Sequence, residues 1–259
     1  MTLAEHKKIV LNPEVYLSLA KSCDKLIKSR GYVMNVSKEE EEFPVAYNII
    51  MHHDIEMAER LLRSIYRPSN IYCIHVDRKS PINLFKAMSS LAKCFDNVIM
   101  ASHRGTVRWG EYSVFQAELT CMHDLLKYKK WKYFINLAGQ DFPLKTNLEI
   151  VQILRAFRTR KMLLEREAMA RYKIWSTDGA KCNGKWTRSI CIFGMGELPG
   201  LTKAPHLFSN KHHSDYQPVT LDCLEKWLFD KIHNEQQGKS SNINLSFYIN
   251  QDFVRNQIT

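Results

Sequence analysis

Two kinds of side chain in this sequence, histidine and aspartate, stand where apolar runs end and could contact a ligand. His52 follows the run 46–51, and Asp77 follows the run 71–76. Ligands of open α/β sheets bind outside the carboxyl ends of the strands, so both side chains would face one crevice. A carboxylate there could accept hydrogen bonds from sugar hydroxyls or from a nucleotide base. Equally, His52, His53 and Asp77 could only cap helices or turns, and the pattern alone leaves both interpretations open.

Alternating strands and helices would position these residues. The strand at 46–51, the helix at 55–65 and the strand at 71–76 form a unit that is typical of parallel sheets. Thr146 and Glu149 form a capping box at the start of another helix. Further strands are predicted at 98–101, 131–137 and 189–193, and further helices at 112–128, 146–157 and 220–232. We therefore predict an α/β fold with a mainly parallel sheet.

The pattern divides the chain into three segments. Residues 1–42 are weakly helical and end in the acidic run Glu39–Glu42, so they are expected to form a stem-like preface. Residues 43–232 carry the alternation of strands and helices and form the main domain, although the pattern fails between about 168 and 186. Residues 233–259 are polar and rich in asparagine, and we expect a loose tail.

Composition limits the class of protein. A chain of 259 residues with 45% hydrophobic residues is sufficient for one large α/β domain or two small ones. The net charge of +10 would favour anionic partners, but the lysines and arginines are scattered and no RNA-binding pattern occurs. We expect diffuse surface charge and no nucleic-acid partner. The chain has no apolar run of 18 residues and a polar start, Met1–Val10, so no membrane span and no signal peptide are expected in it.

Seven cysteines leave two interpretations open. Reduced cysteines are common in the cores of cytosolic proteins, whereas disulfides would indicate an oxidising compartment. No Cys-x-x-Cys pair occurs, so the spacing does not indicate a zinc site. Because the number is odd, at least one thiol has no partner within the chain.

Several blocks of sequence resemble the core-2/I-branching β-1,6-N-acetylglucosaminyltransferases. The blocks occur in order and read FPVAY at 43–47, YCIHVD at 72–77, WKYFINL at 131–137, DFPLKTNLEI at 141–150, RSICIFG at 188–194 and HLFSNK at 206–211. The resemblance covers about residues 20–167 and 180–229. It implies a GT-A-like, Rossmann-type nucleotide-sugar domain over residues 43–232. It also implies transfer of N-acetylglucosamine from UDP-GlcNAc to O-linked glycans in β-1,6 linkage.

The resemblance also implies which residues bind the donor. His52 and Asp77 match positions that contact the uridine end, and Arg188 and Lys211 match the cations that neutralise the diphosphate. Most GT-A enzymes use a divalent metal on an Asp-x-Asp motif, which this sequence lacks. Asp54-Ile-Glu56 comes close, but the helical pattern around it argues against a metal site. The resemblance therefore implies a metal-independent transferase with no cofactor.

The acceptor side of such an enzyme is only partly matched. Glu165 matches a position that binds the acceptor sugar. Between Glu165 and Cys182 the family has a longer segment with the catalytic base, so we expect an internal deletion near 168–181, an incomplete domain and no assigned base. Two functions stay open, an active transferase and a non-catalytic member that retains at most UDP-sugar or partner binding.

The cysteines and sequons also follow the resemblance. The family's disulfide pattern pairs Cys23 with Cys94, Cys73 with Cys121, and Cys182 with Cys191. Cys223 matches a cysteine whose partner lies in the family's stem. Asn35 and Asn244 begin Asn-x-Ser glycosylation sequons. The resemblance implies the Golgi lumen and a membrane anchor, and the anchor is expected to be absent from this chain.

Overall fold

The fold is organised around the apolar strands of the predicted strand–helix–strand unit. A computed structural model describes residues 11–157, 182, 184–187, 190–241 and 243–250. The helices are α1 (Pro13–Leu19), α2 (Cys23–Arg30), α3 (Lys38–Glu42), α4 (Ile55–Ile65), α5 (Ile82–Ala92), α6 (Tyr112–Leu125), α7 (Asn147–Ala156), α8 (Leu198–Leu201), α9 (Pro218–Gln236) and α10 (Leu245–Ile249). The strands are β1 (Val45–Met51), β2 (Ile71–Val76), β3 (Val98–Met100), β4 (Tyr133–Ala138), β5 (Phe142–Pro143), β6 (Lys185–Thr187), β7 (Ile190–Ile192) and β8 (Phe208–Ser209).

The central sheet has the strand order β3-β2-β1-β4, and all its pairs are parallel. The α/β fold with a mainly parallel sheet is therefore confirmed. In the register of the sheet, Met51 of β1 lies opposite Val76 of β2, and Ile50 lies opposite Ala138 of β4. Three strands consequently end at one edge, which brings the residues that follow them together.

Helix α4 is buried along its whole length, including its charged residues. The Asp54 carboxylate caps its first turn by accepting a hydrogen bond from the Met57 N–H at 3.1 Å. Glu59 is fully buried and pairs with Arg63 on the next turn and with Arg30 of α2. A buried charge is tolerated only when it is paired, so these contacts allow a polar helix to lie in the core.

The segment expected to be a stem-like preface packs into the main core. Tyr16 of α1 and Leu26 of α2 are fully buried in the cluster that also contains the β1 residues. The Tyr16 hydroxyl donates to Glu56 of α4 at 2.7 Å. Weak amphipathic patterns did not reveal this packing because each helix contributes few buried side chains, which contact distant parts of the chain.

Two further elements differ from the sequence prediction. Helix α5 lies in a stretch where no helix was predicted, and it contacts α1 and β3. The segment expected to be a loose tail contains the end of α9 and the whole of α10. Tyr248 of α10 is 3% exposed, and its hydroxyl donates to the Pro205 carbonyl at 2.5 Å. One buried aromatic side chain thus anchors a polar segment whose composition favours disorder.

Candidate functional site

The carboxyl ends of β1 and β2 bring His52 and Asp77 side by side. The Asp77 N–H donates to the Met51 carbonyl at 2.8 Å, which continues the pairing of the two strands by one residue. The Ser80 hydroxyl donates to the His52 carbonyl at 2.8 Å and joins the two loops that follow the strands. These contacts form the edge at which the sequence predicted a ligand crevice.

Asp77 is almost completely buried, at 3% exposure, and its carboxylate is held in place. One oxygen accepts the Lys79 N–H at 2.8 Å, and the other lies 3.6 Å from the Lys79 ammonium. The second oxygen keeps capacity for a further hydrogen bond from a ligand, because an ionised carboxylate has about four acceptor sites.

His52 lies at the same edge, and its ring stacks on the ring of His53 with the two ring centres 4.0 Å apart. Desolvation of the ring, together with the charges of His53 and Lys211, lowers the pKa of His52 to about 4, although Asp77 acts in the opposite direction. His52 is therefore neutral at physiological pH and can both donate and accept a hydrogen bond, as a neutral nucleotide base requires.

Lys211 belongs to a loop that is attached to the end of β4. The Asn210 amide donates to the Asp141 carboxylate at 2.6 Å, and the His212 N–H donates to the Gln140 carbonyl at 3.0 Å. The Lys211 carbonyl itself accepts the Phe193 N–H at 3.0 Å, beside β7. The loop therefore holds Lys211 near this edge of the sheet, where its charge acts on both His52 and His213.

The next residue in this loop, His212, is buried and neutral. Its Nε2 lies 2.7 Å from the Ser209 hydroxyl, which donates to the Phe142 carbonyl at 3.2 Å. Burial lowers the pKa of His212 to about 3. A neutral His212 adds no repulsion beside Lys211, and its hydrogen bond fixes the turn that carries the lysine.

Two of the predicted site residues, Arg188 and Glu165, lie outside the described residues. Of the predicted donor residues, the structure brings His52, Asp77 and Lys211 to one edge of the sheet.

Comparison with known proteins agrees with the sequence blocks. The family model of the Core-2/I-Branching enzyme matches residues 45–193, which include β1, β2, β4 and β7. The chain belongs to the core-2/I-branching enzyme family. A human β-1,3-galactosyl-O-glycosyl-glycoprotein β-1,6-N-acetylglucosaminyltransferase is 44% identical over 238 residues, which are 89% of this chain and 55% of that protein. The bovine protein of the same name is 46% identical over 223 residues, 83% of this chain and 52% of its own length.

A third relative of this core-2/I-branching chain is human β-1,3-galactosyl-O-glycosyl-glycoprotein β-1,6-N-acetylglucosaminyltransferase 3. It is 44% identical over 160 residues, which are 61% of this chain and 36% of that protein. The chain thus spans about half the length of the first two of these relatives. Among the described helices, none is long and apolar enough to cross a membrane.

Three disulfides join the cysteine pairs that the family resemblance implied, Cys23–Cys94, Cys73–Cys121 and Cys182–Cys191. Cys223 is an exposed free thiol on α9. Both sequon asparagines are exposed. Asn35 lies in the extended stretch before α3, and the Asn244 side chain caps α10 by accepting the Phe247 N–H at 3.3 Å.

The acidic pair Asp54 and Glu56, the nearest approach to a metal motif in this core-2/I-branching chain, has other partners. The Asp54 carboxylate accepts the Ser214 hydroxyl at 2.6 Å, and Glu56 pairs with Arg60 at 2.9 Å. In the described part of the chain, the one group with the spacing of metal ligands is Cys182, Cys191 and Glu197, whose two cysteines form a disulfide.

Sequence reasoning did not single out Asp141 and Gln140, which hold the Lys211 loop. Asp141 lies inside a matched block, two residues after the Gly139 turn at the end of β4. Its position after a strand end is the same signal that identified His52 and Asp77, so the signal was present in the sequence.

Proposed function

We propose that the chain is the donor-binding part of a β-1,6-N-acetylglucosaminyltransferase that uses UDP-GlcNAc and acts on O-linked glycans. One observation supports the proposal most directly. A neutral histidine, a buried carboxylate and a lysine held by its loop converge on the carboxyl edge of a parallel sheet in a chain of this family. This edge is where α/β proteins bind nucleotides.

In the proposed reaction, His52 and Asp77 bind the uridine end of the donor. An acceptor hydroxyl attacks the anomeric carbon from the face opposite UDP, and its proton passes to a base that we assign to no residue. Negative charge grows on the departing diphosphate, so Lys211 and Arg188 would stabilise the transition state more than the bound donor. Glu165 would bind the acceptor sugar. With two cations in the metal's role, the proposed transfer needs no divalent ion.

The test is a transfer assay on purified, secreted protein with UDP-GlcNAc and a Galβ1,3GalNAc acceptor, with EDTA present. Arg188→Ala and Lys211→Ala should each lower turnover at least tenfold, because each removes a charge from the diphosphate site. Lys130→Ala is the matched control, since Lys130 is an exposed lysine just before β4, at the opposite end of that strand from the donor edge. EDTA-sensitive transfer, or equal effects of Lys211→Ala and Lys130→Ala, would contradict the proposed mechanism.

A non-catalytic role is the second candidate, because no residue of this sequence matches the family's catalytic base. Such a protein would bind UDP-sugar without transferring it. Calorimetric titration with UDP distinguishes the two functions in protein that shows no turnover. Binding that Lys211→Ala weakens would support a surviving donor site, and no binding by folded protein would exclude both the transferase and a member that retains UDP-sugar binding.

The proposed location is the lumen of the Golgi, with membrane anchoring as in the family. Three disulfides fit an oxidising compartment of the secretory pathway. Secreted protein should therefore gain N-glycans at Asn35 and Asn244, and loss of mass on treatment with an N-glycosidase measures them. Variants Asn35→Gln and Asn244→Gln assign the sites one by one.

A further inference from the structure

Arg104, in the loop after β3, holds the chain at the point where it leaves β2. Its Nε donates to the Val76 carbonyl at 3.1 Å, and a terminal nitrogen donates to the Asp77 carbonyl at 3.0 Å. The guanidinium group also lies over the Phe85 ring of α5, 4.1 Å from the ring centre. An arginine between two carbonyls and an aromatic face is fixed in orientation, which a flexible surface cation is not.

These contacts take the place of pairing between β2 and β3, which ends before β2 does. The pairing of β2 with β3 stops at Ile74 and Met100, two residues before β2 itself ends. Beyond that point the loop supplies the missing partners on this side of β2. The Gly105 N–H donates to His75 Nε2 at 3.1 Å, and the Arg78 N–H donates to the Gly105 carbonyl at 3.0 Å.

Asp77 therefore lies between two supports. On the β1 side, its N–H donates to the Met51 carbonyl, and on the β3 side its carbonyl accepts from Arg104. The Asp77 side chain has little freedom to compensate for a backbone shift, because the Lys79 N–H already holds one of its oxygens. A movement of the peptide at 76–78 would move the carboxylate by a similar distance.

We propose that Arg104 is a positioning residue for donor binding, which acts through Asp77 and does not contact the nucleotide. The inference rests on the proposed function for its ligand, but the contacts of Arg104 with the backbone stand independently of it. Loss of these charge-assisted hydrogen bonds should weaken UDP binding by about tenfold.

A double-mutant cycle on UDP affinity tests the inference by calorimetry on the full chain. Arg104→Gln should weaken binding, and Arg104→Lys should restore part of the loss, because an ammonium group can still reach one carbonyl. In the Asp77→Asn background, Arg104→Gln should add little further loss. Arg108→Gln is the matched control, since this loop arginine is 70% exposed and pairs only loosely with Glu111 at 3.8 Å.

A second measurement separates failure of this inference from failure of the proposed function. Hydrogen exchange of the Arg78 and Ser80 amides in ligand-free protein should be faster in Arg104→Gln than in wild-type protein and unchanged in Arg108→Gln. If wild-type protein does not bind UDP, the proposed function fails and the positioning of a UDP-binding Asp77 fails with it, whereas the exchange rates still report whether Arg104 holds the backbone.

Two results would overturn the inference while the proposed function stands. One is an Arg104→Gln variant that binds UDP as wild-type protein does, whatever its exchange rates. The other is an equal loss of affinity from Arg104→Gln in the wild-type and Asp77→Asn backgrounds, because a residue acting through Asp77 cannot show full additivity with it.

Discussion

Removal of the Cys73–Cys121 disulfide should cost the protein a large part of its stability. The bond joins β2 to α6 and closes a loop of 48 residues. A crosslink lowers the entropy of the unfolded chain, and for a loop of this length the loss corresponds to about 4.1 kcal/mol at 25 °C. Both cysteines are fully buried, so replacing them with alanine leaves no unpaired polar group.

The disulfides close loops of different lengths, so the stability lost on removing each can be compared. Cys182–Cys191 closes a loop of only 9 residues, for which the same relation gives about 2.6 kcal/mol. The double variant Cys73→Ala/Cys121→Ala should therefore lose more stability than Cys182→Ala/Cys191→Ala. Cys223→Ala is the matched control, because this exposed thiol forms no disulfide within the described residues.

The assay is urea unfolding at equilibrium, followed by tryptophan fluorescence and far-ultraviolet circular dichroism under non-reducing conditions. Each double variant is compared with wild-type protein and with Cys223→Ala at the same pH. A loss below about 1 kcal/mol for the 48-residue pair, or an equal loss for both pairs, would refute the loop-entropy argument. A destabilised Cys223→Ala variant would show that cysteine replacement itself, and not loop opening, is being measured.

Three further predictions concern the core and the site. A Cβ at Gly139 would lie 2.9 Å from the Met51 Cβ, so Gly139→Ala should lose about 1–3 kcal/mol in urea unfolding. A Cβ at Gly200, on helix α8, would have no atom within 4 Å, so Gly200→Ala should lose no stability. Because burial lowers the pKa of His212 to about 3, mainly the unfolded chain gains this proton as the pH falls from about 6.5 towards 3, and stability should fall by roughly 2.3 kcal/mol between pH 6.5 and 4.5. The fall should be smaller in His212→Gln, and an equal fall would contradict the assignment. Glu59→Gln removes a counter-charge from the buried Arg63 and from the partly buried Arg30 and should cost about 3–5 kcal/mol in the same assay, whereas a loss under 1 kcal/mol would show that the pairs contribute little.

The sheet and its edge could be predicted from the sequence because their signals are local. The apolar runs before His52 and Asp77 are short and continuous, which is typical of buried parallel strands. The ends of both strands were predicted to within one residue. The strand register then follows from the parallel pairing, so the meeting of these two residues needed no further information. The capping box of Thr146 and Glu149 was also predicted from the sequence, and α7 begins there.

Other parts of the fold depend on contacts that no local pattern contains. The loop of Lys211 is held by Asn210 and Asp141, whose positions are 69 residues apart in the chain. Arg104 likewise reaches back 27 residues to Asp77. Tyr248 is buried in a stretch whose neighbours are largely polar, and Ile243 and Leu245 also pack against the core there. Such contacts join a few residues over long separations, so neither composition nor periodicity reveals them.

The Cys23–Cys94 disulfide makes the N-terminal helices difficult to remove by a single proteolytic cut. The stretch between α2 and α3 includes the exposed residues Gly31, Met34 and Asn35, and it is the natural place for a protease to act. A cut there would break the polypeptide but would not separate the fragments, because the peptide that contains Cys23 would stay bonded to Cys94, just after the end of α5. Two fragments would separate on a reducing gel and migrate together on a non-reducing one, and only a cut before Cys23 would release what precedes it.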